Sequence, residues 1–190
     1  MLEFAPLTSV YLDELVDAFN DAFSSYAVPV SMDRSGLTGM IRTRSVRLDH
    51  SFGLFDRSKL VGFLLNGARL VDGVPTAYDS GTGIRSQYQH KGHGALLLER
   101  TLRELADLGY RRYLLEVITE NAAAIRLYER YGFTARRELD CYTARRSSLP
   151  RTGEAVVDHE LDDAWASRLA HLSNHRPSWQ NDVTSVNANG

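Results

Sequence analysis

Apolar and polar residues recur along this chain with two different periods, and the changes of period divide it into predicted elements. A short strand is predicted over 2–6, and the helical spacing of apolar residues after it predicts a helix that Thr8 or Ser9 could cap. Pro29 interrupts the pattern, and a second helix is predicted to begin at 31–33. The N-terminal part is therefore expected to be one strand followed by two helices.

Three short strand-like runs follow the second predicted helix. The runs 51–55 and 60–66 are separated by the turn-forming residues 56–59, which predicts a hairpin. A third strand is predicted over 77–84, after the turn at 72–75. Alternation along it places Tyr78, Ser80, Thr82 and Ile84 on one face and Asp79, Gly81 and Gly83 on the other.

The next part of the chain alternates helices and strands. A helix with an apolar stripe is predicted over 95–108 and ends at Gly109, where a left-handed cap is expected. A strand over 110–119 and a helix over 122–131, capped by Asn121, follow. These elements predict an α/β (α+β) fold with a mixed, mostly antiparallel central sheet and flanking helices.

Composition narrows the class of protein. The chain has 190 residues, of which 43% are hydrophobic and 24% charged, as expected for one well-packed domain with an appendage. A net charge of -2 argues against a nucleic acid or a membrane surface as the main partner, and no run approaches the roughly 20 apolar residues of a membrane span. The single cysteine, Cys141, cannot form an internal disulfide, and 1–10 does not read as a secretory signal, so a reducing cytoplasmic location is expected.

A glycine-rich turn over 89–94, with the sequence QHKGHG, connects a predicted strand to a predicted helix. The first N–H groups of a helix lack internal partners and carry the positive end of its dipole, so this turn is a candidate anion site. Lys91 precedes its glycine and no Ser or Thr follows, which excludes a P-loop. Gly92 and Gly94 are not followed by the third glycine of a dinucleotide turn.

Two motifs in sequence resemble those of one family. The pattern I-x-S-x-x-Q-x-x-G-x-G over 84–94 resembles the acyl-CoA pyrophosphate loop of the GCN5-related N-acetyltransferases (GNAT family), written [QR]-x-x-G-x-[GA]. The segment RYLLEVITENAAAIRLYERYGF over 112–133 is similar to the second half of the same family core. The resemblance extends over 2–145 and implies the GNAT acyl-CoA N-acyltransferase fold, with acetyl-CoA as co-substrate.

The resemblance implies a set of cofactor-binding residues. Backbone groups at the end of the strand would hold the acetyl carbonyl and the pantetheine, and the glycine-rich turn would hold the pyrophosphate. The implied residues are Ile84, Arg85, Ser86, Gln89, His90, Lys91, Gly92, His93, Gly94, Ala95 and Asn121. The family has an apolar residue at the position of Thr82, so its hydroxyl indicates either a polar wall near the pantetheine or a local substitution.

Two groups are candidates for moving protons. Glu116 interrupts an apolar strand, where burial would raise the pKa of its carboxyl and suit it to be a general base, although a salt bridge to a nearby arginine would also explain it. Asp79 is the second candidate base. Tyr128 and Tyr131 share a helix face, and the family motif L-Y-x-x-x-G-F selects Tyr128, which by resemblance protonates the departing thiolate of coenzyme A.

The acceptor is an amine whose identity the sequence leaves open. By resemblance the first two helices and the strand before the loop line its site, through Phe23, Tyr26, Met32 and Asp79. The expected activity is transfer of an acetyl group from acetyl-CoA to a primary amine of a small molecule or peptide. The alternative is a non-catalytic acyl-CoA-binding module, with Trp165 and Trp179 supplying a partner surface. A homodimer is left open because dimers are common in this family, and no metal site is expected.

The C-terminal part reads as an appendage. A last strand is predicted over 134–144, so that the GNAT domain would span 1–145, and 146–153 reads as a linker. The extension over 154–190 carries the sequence RPSWQN, which resembles the opening of a second acetyltransferase-like half in larger relatives.

Overall fold

A five-stranded sheet forms the centre of the protein. The computed structural model describes residues 2–24, 30–140 and 177–188. The strands are β1 (Glu3–Pro6), β2 (Phe52–Asp56), β3 (Lys59–Val71), β4 (Val74–Ile84) and β5 (Arg112–Leu114). They lie side by side in chain order; the first three pairings are antiparallel and β4 pairs with β5 in parallel. The predicted mixed, mostly antiparallel sheet is confirmed.

Helices cover both faces of this sheet. They are α1 (Leu12–Ala22), α2 (Arg34–Thr43), α3 (His93–Asp107), α4 (Ala122–Arg130) and the short α5 (Val183–Asn187). Successive residues of a strand point to opposite faces, so Phe63 packs with α1 and α2 whereas Leu64 packs with α3. Two hydrophobic clusters result, one on the α1–α2 face and one on the α3–α4 face.

The starts of the first two helices differ from each other. The sequence-based cap for α1 is wrong: Tyr11 precedes the helix with no side-chain cap, and Leu7–Ser9 form a 3-10 turn. This turn is needed because Leu7 is fully buried and its N–H donates to the carbonyl of Ser51. The carboxylate of Asp33 does cap α2, accepting from the N–H of Gly36 at 2.6 Å.

A bulge in β4 changes the predicted alternation. Leu65 faces Gly81 but Asn66 faces Asp79, so Ser80 is an extra residue in the ladder. Thr82 and Asp79 consequently lie on the same side, and the Thr82 hydroxyl donates to the Asp79 carboxylate at 2.7 Å. The predicted placement of these two side chains on opposite faces is therefore wrong.

The bulge also limits the pairing of β4 with β5. The two strands pair only at Thr76–Tyr78 and Arg112–Leu114, so the predicted strand over 110–119 is shorter than expected. We call the gap between the two strands, beyond the pair of Tyr78 and Leu114, the β4–β5 split. The predicted last strand is likewise absent from 134–140, where the side chains are exposed and include Arg136, Arg137 and Glu138; 141–144 lie outside the described residues.

Candidate active site

The glycine-rich turn is closed by a left-handed residue and opens directly into α3. Gly92 has φ 80° and precedes the helix, and no side chain caps this helix end. The first backbone bond of α3 runs from the N–H of Leu96 to the carbonyl of Gly92. The N–H groups of His93, Gly94 and Ala95 therefore have no partner within the helix, and its positive dipole end faces the same region.

Most side chains of the turn hold its conformation. Gln89 donates from Nε2 to the carbonyl of Ile84 at 2.8 Å and to that of Ala22 at 3.2 Å. The Nδ1 atom of His93 lies 2.9 Å from the carbonyl of Tyr88, and Lys91 donates to the carbonyl of Gln87 at 2.7 Å. His90 is exposed. The groups available to an anion include the backbone amides at the start of α3.

Asn121 lies at the start of α4, where it serves as the predicted cap. Its Oδ1 atom accepts from the N–H of Ala124 at 3.1 Å.

The amides at the end of β4 are only partly available to a ligand. The N–H of Arg85 donates to the carbonyl of Val61 at 2.8 Å, and that of Ser86 donates to the Asp21 carboxylate at 3.1 Å. The expectation that these two amides face the cofactor is not supported, because the protein already engages them. Backbone groups of an antiparallel strand alternate in direction, so the N–H of Ile84 points away from β3, on the side of the β4–β5 split, while its carbonyl accepts from Gln89.

The side chain of Arg85 stabilises the fold, because it is buried and paired with other parts of the protein. It is only 4% exposed, donates from Nε to the carbonyl of Leu60 at 2.7 Å, and forms ion pairs with Asp17 (2.7 Å) and Asp21 (3.3 Å). A buried guanidinium needs such partners. Arg85 thus joins α1 to the end of β4.

A phenol and a buried carboxyl meet at the β4–β5 split on the α3–α4 face. The hydroxyl of Tyr128 donates to Asp79 at 3.2 Å, and Asp79 also accepts from the N–H of Gly81 at 2.9 Å and from Thr82. Burial raises the pKa of Asp79, and these three hydrogen bonds oppose the shift. The hydroxyl of Tyr131 instead lies 3.3 Å from the carbonyl of Ala95. The structure therefore separates the two phenols that share a helix face.

Glu116 lies in a different environment from the one predicted. It follows the end of β5 and is exposed, so the prediction that it is buried on a strand is wrong. Its carboxylate accepts from the N–H of Trp179 at 3.2 Å and from Nε2 of Gln180 at 3.4 Å. The alternative salt bridge is not formed with Arg111, Arg112 or Arg126 among the described ion pairs, where Arg112 pairs with Asp72 at 3.6 Å.

Tyr78 lies on the α1–α2 face of the split, opposite Tyr128. Its ring stacks on Trp179 with 4.8 Å between centroids, and its hydroxyl lies 3.4 Å from Nε2 of Gln180. Burial, followed by the charge of Glu116, raises the pKa of Tyr78 to about 12. Arg44, at the end of α2, donates to the carbonyl of Ser80 at 2.7 Å and to Oε1 of Gln180 at 2.8 Å.

Sequence reasoning did not assign Arg44, Ser80 or Gln180 to the site. The RPSWQN pattern was a visible signal for Gln180, but only the tertiary structure places it beside Glu116. Thr82 also carried a signal, because a hydroxyl replaces an apolar residue there, and its bond to Asp79 favours the interpretation as a polar wall.

The predicted acceptor residues lie near the connection between α1 and α2. The backbone N–H and carbonyl of Met32 both pair with the side-chain amide of Asn20 at 2.8 Å, and Phe23 packs on Phe19 with 4.6 Å between ring centroids. Tyr26 lies outside the described residues. In the described ranges no group of three or more His, Cys, Asp or Glu side chains could hold a metal, and no helix is long and apolar enough to cross a membrane.

Known proteins resemble this chain in sequence. It is 36% identical over 86 residues to the mycothiol acetyltransferase of Nocardiopsis dassonvillei, a match that covers 45% of this chain and 26% of that protein. It is 33% identical over 99 residues to the spermine/spermidine N(1)-acetyltransferase of Bacillus subtilis, covering 46% of this chain and 61% of that protein. The chain therefore spans less than two thirds of either relative.

A comparison of structures and a comparison with protein families give the same result as these relatives. The ribosomal-protein-S18-alanine N-acetyltransferase of Escherichia coli superposes with a TM-score of 0.58 and 26% identity, covering 80% of this chain and 86% of that one. Residues 12–133 match the sequence pattern shared by the Acetyltransferase (GNAT) family. This match extends over more than half of the chain and confirms the motif-based inference: the protein belongs to the GNAT acetyltransferase family.

Proposed function

We propose that this protein is an acetyl-CoA-dependent N-acetyltransferase that acetylates a primary amine of a small molecule or peptide by direct attack. The observation that carries this proposal is the contact of Tyr128 with Asp79 at the β4–β5 split, in a GNAT chain whose α3 begins with amides that have no partner within the helix. The similarity to acetyltransferases for mycothiol and for spermine or spermidine supports an amine acceptor without choosing one.

The start of α3 fits a pyrophosphate. The amides of His93, Gly94 and Ala95 supply donors, and a Cβ on Gly92 would meet no atom within 4 Å while one on Gly94 would meet only Ile84 at 4.0 Å. This open approach suits a ligand lying against the backbone. Gln89, Lys91 and His93 then serve the site mainly by fixing the turn, and the N–H of Ile84 faces the thioester.

The proton transfers can be assigned to residues on the two faces of the split. Attack by the amine forms a C–N bond and breaks the C–S bond, and the proton lost by the nitrogen must in the end reach the sulfur. Tyr128 donates its hydroxyl proton to the departing thiolate, and the neighbouring Asp79 carboxyl supports the return of a proton to the phenol. Glu116, on the face where Phe23 and Met32 lie, takes the proton of the amine directly or through water.

Replacing Tyr128 by Phe tests this assignment. We expect the Tyr128→Phe variant to lose about 100-fold in kcat, because only the transition state needs the phenolic proton, while its affinity for coenzyme A is unchanged. Thiol release from acetyl-CoA with a panel of amines measures the first quantity and calorimetry the second. Tyr131→Phe is the matched control on the same helix and should retain parental activity.

Two outcomes would oppose the proposal. Absence of heat with coenzyme A would reject the site itself. Binding without transfer to any amine would instead favour the alternative, a non-catalytic acyl-CoA-binding module.

We also propose a cytoplasmic location, which the single cysteine supports, since a reducing compartment suits a chain without an internal disulfide. A net charge of -2 supports a small or peptidic acceptor over nucleic acid. A homodimer is consistent with the family and is testable by light scattering.

A further inference from the structure

The C-terminal segment, defined as Pro177–Ala188, is fixed to the core through Trp179. This side chain is 7% exposed; one ring face stacks on Tyr78, and the guanidinium carbon of Arg69 lies 4.2 Å from the ring centroid. The indole N–H donates to the carbonyl of Arg44 at 2.9 Å. The indole ring and its N–H are thus both engaged on the α1–α2 side of the sheet.

Arg69 joins the rest of the segment to this anchor. It donates to the carbonyl of Trp179 at 3.2 Å and to the hydroxyl of Ser185 at 2.7 Å, and it lies 3.6 Å from the Asp182 carboxylate. Ser185 closes the loop by donating to the carbonyl of Trp179 at 2.6 Å. These contacts attach the segment to the core at several points around Trp179.

The C-terminal segment places two N–H donors beside the carboxylate of Glu116. The backbone N–H of Trp179 and the side-chain amide of Gln180 both reach Glu116, and Gln180 is itself oriented by Arg44 and by the Tyr78 hydroxyl. In the described part of the chain these are the hydrogen bonds that Glu116 accepts. An exposed glutamate otherwise samples several rotamers, so the segment removes that freedom.

These two donors lie on the side of the β4–β5 split from which the acceptor amine would enter. Asp79 and Tyr128 approach the β4–β5 split from the α3–α4 face, whereas Tyr78, Glu116 and Gln180 border it from the α1–α2 face. An amine that attacks a thioester held near Tyr128 must enter from the second face. Gln180 therefore lies on the acceptor side of the split.

We propose that Trp179 and Gln180 complete the acceptor side of the active site: Gln180 is a positioning residue that orients the Glu116 carboxylate towards the incoming amine, and Trp179 anchors it. This inference rests on the proposed acetyltransferase function. It gives the C-terminal segment a direct part in the reaction of the GNAT core.

The test compares Gln180→Ala with Asn181→Ala, an exposed neighbour in the same segment. Gln180→Ala should lower kcat/KM for the amine by about tenfold, because the base loses a charge-assisted hydrogen bond, while coenzyme A binding and thermal stability remain parental. It should also shift the acidic limb of the pH profile. Asn181→Ala should change none of these quantities.

A double-mutant cycle with Glu116→Gln decides whether Gln180 acts through Glu116. If it does, the double variant is no slower than Glu116→Gln alone. An active parent in which Gln180→Ala behaves like Asn181→Ala, or in which the two losses multiply, overturns this inference and leaves the proposed function intact. A parent that transfers no acetyl group to any amine overturns both.

Discussion

Two aspartates of the site have pKa shifts of opposite sign because their surroundings differ. Asp79 is buried on β4, and burial raises its pKa above the ordinary value of 3.8. Asp21, at the end of α1, accepts hydrogen bonds from Ser86 and faces Arg85, and the side-chain hydrogen bond of Ser86 is the main cause of its lowered pKa. The two residues should therefore affect stability with opposite pH dependence.

Asp79→Asn should gain stability relative to the parent as pH rises above 3.8 and through the raised folded-state pKa of Asp79. A raised folded-state pKa means that the folded protein holds the proton longer than the unfolded chain, so the stability due to Asp79 is lost as pH rises through that pKa. Urea unfolding across this pH range measures the difference. A difference between variant and parent that does not change with pH would contradict the argument.

Asp21→Asn is the control of opposite sign. The lowered pKa of Asp21 contributes stability above 3.8 and loses it as pH falls through the folded-state value. This variant should lose about 1 kcal/mol near neutral pH, and the loss should shrink in acid.

At the scale of elements, the close approach of β3 to the end of α2 depends on a glycine. A Cβ on Gly67 would clash with the carbonyl oxygen of Arg44 and lie 3.3 Å from the ring of Trp179. Gly39 inside α2 is the opposite case, since a Cβ there would meet nothing within 4 Å. The same residue type is required at one position and costly at the other.

Gly67→Ala should lower the free energy of unfolding by about 1–3 kcal/mol, because the added methyl must displace backbone and a buried ring. Gly39→Ala should raise it by roughly 0.5–1 kcal/mol, because alanine loses less conformational entropy in a helix. Urea unfolding of both variants measures these changes. Equal effects of the two substitutions would show that the packing at Gly67 is looser than described.

At the scale of the whole molecule, the C-terminal segment should unfold together with the core. Trp179 is buried against Tyr78 and Arg69, so the sheet and the segment stabilise each other. We therefore expect the segment and the GNAT core to unfold as one cooperative unit.

Two probes of one unfolding transition test this coupling. In a Trp165→Phe background the fluorescence reports on Trp179, since the chain has two tryptophans. Its urea transition should coincide with that of the far-ultraviolet circular dichroism. A fluorescence change at distinctly lower urea would mean that the segment leaves the core before the core unfolds.

Local signals in the sequence determined the family, the sheet class, the hairpin, the Asn121 cap and the glycine turn before α3. The cap, the hairpin and the turn depend on neighbours within a few residues, such as a left-handed Gly92, and the family and the sheet class depend on the order of such local motifs along the chain. Only the tertiary structure decided that Asp79 is buried, that Glu116 is exposed and that Gln180 reaches it. The reason is physical: a one-residue bulge at Ser80 reverses the alternation and ends the pairing with β5, and the contact of Glu116 with Gln180 joins residues 64 positions apart, beyond the range of any local pattern.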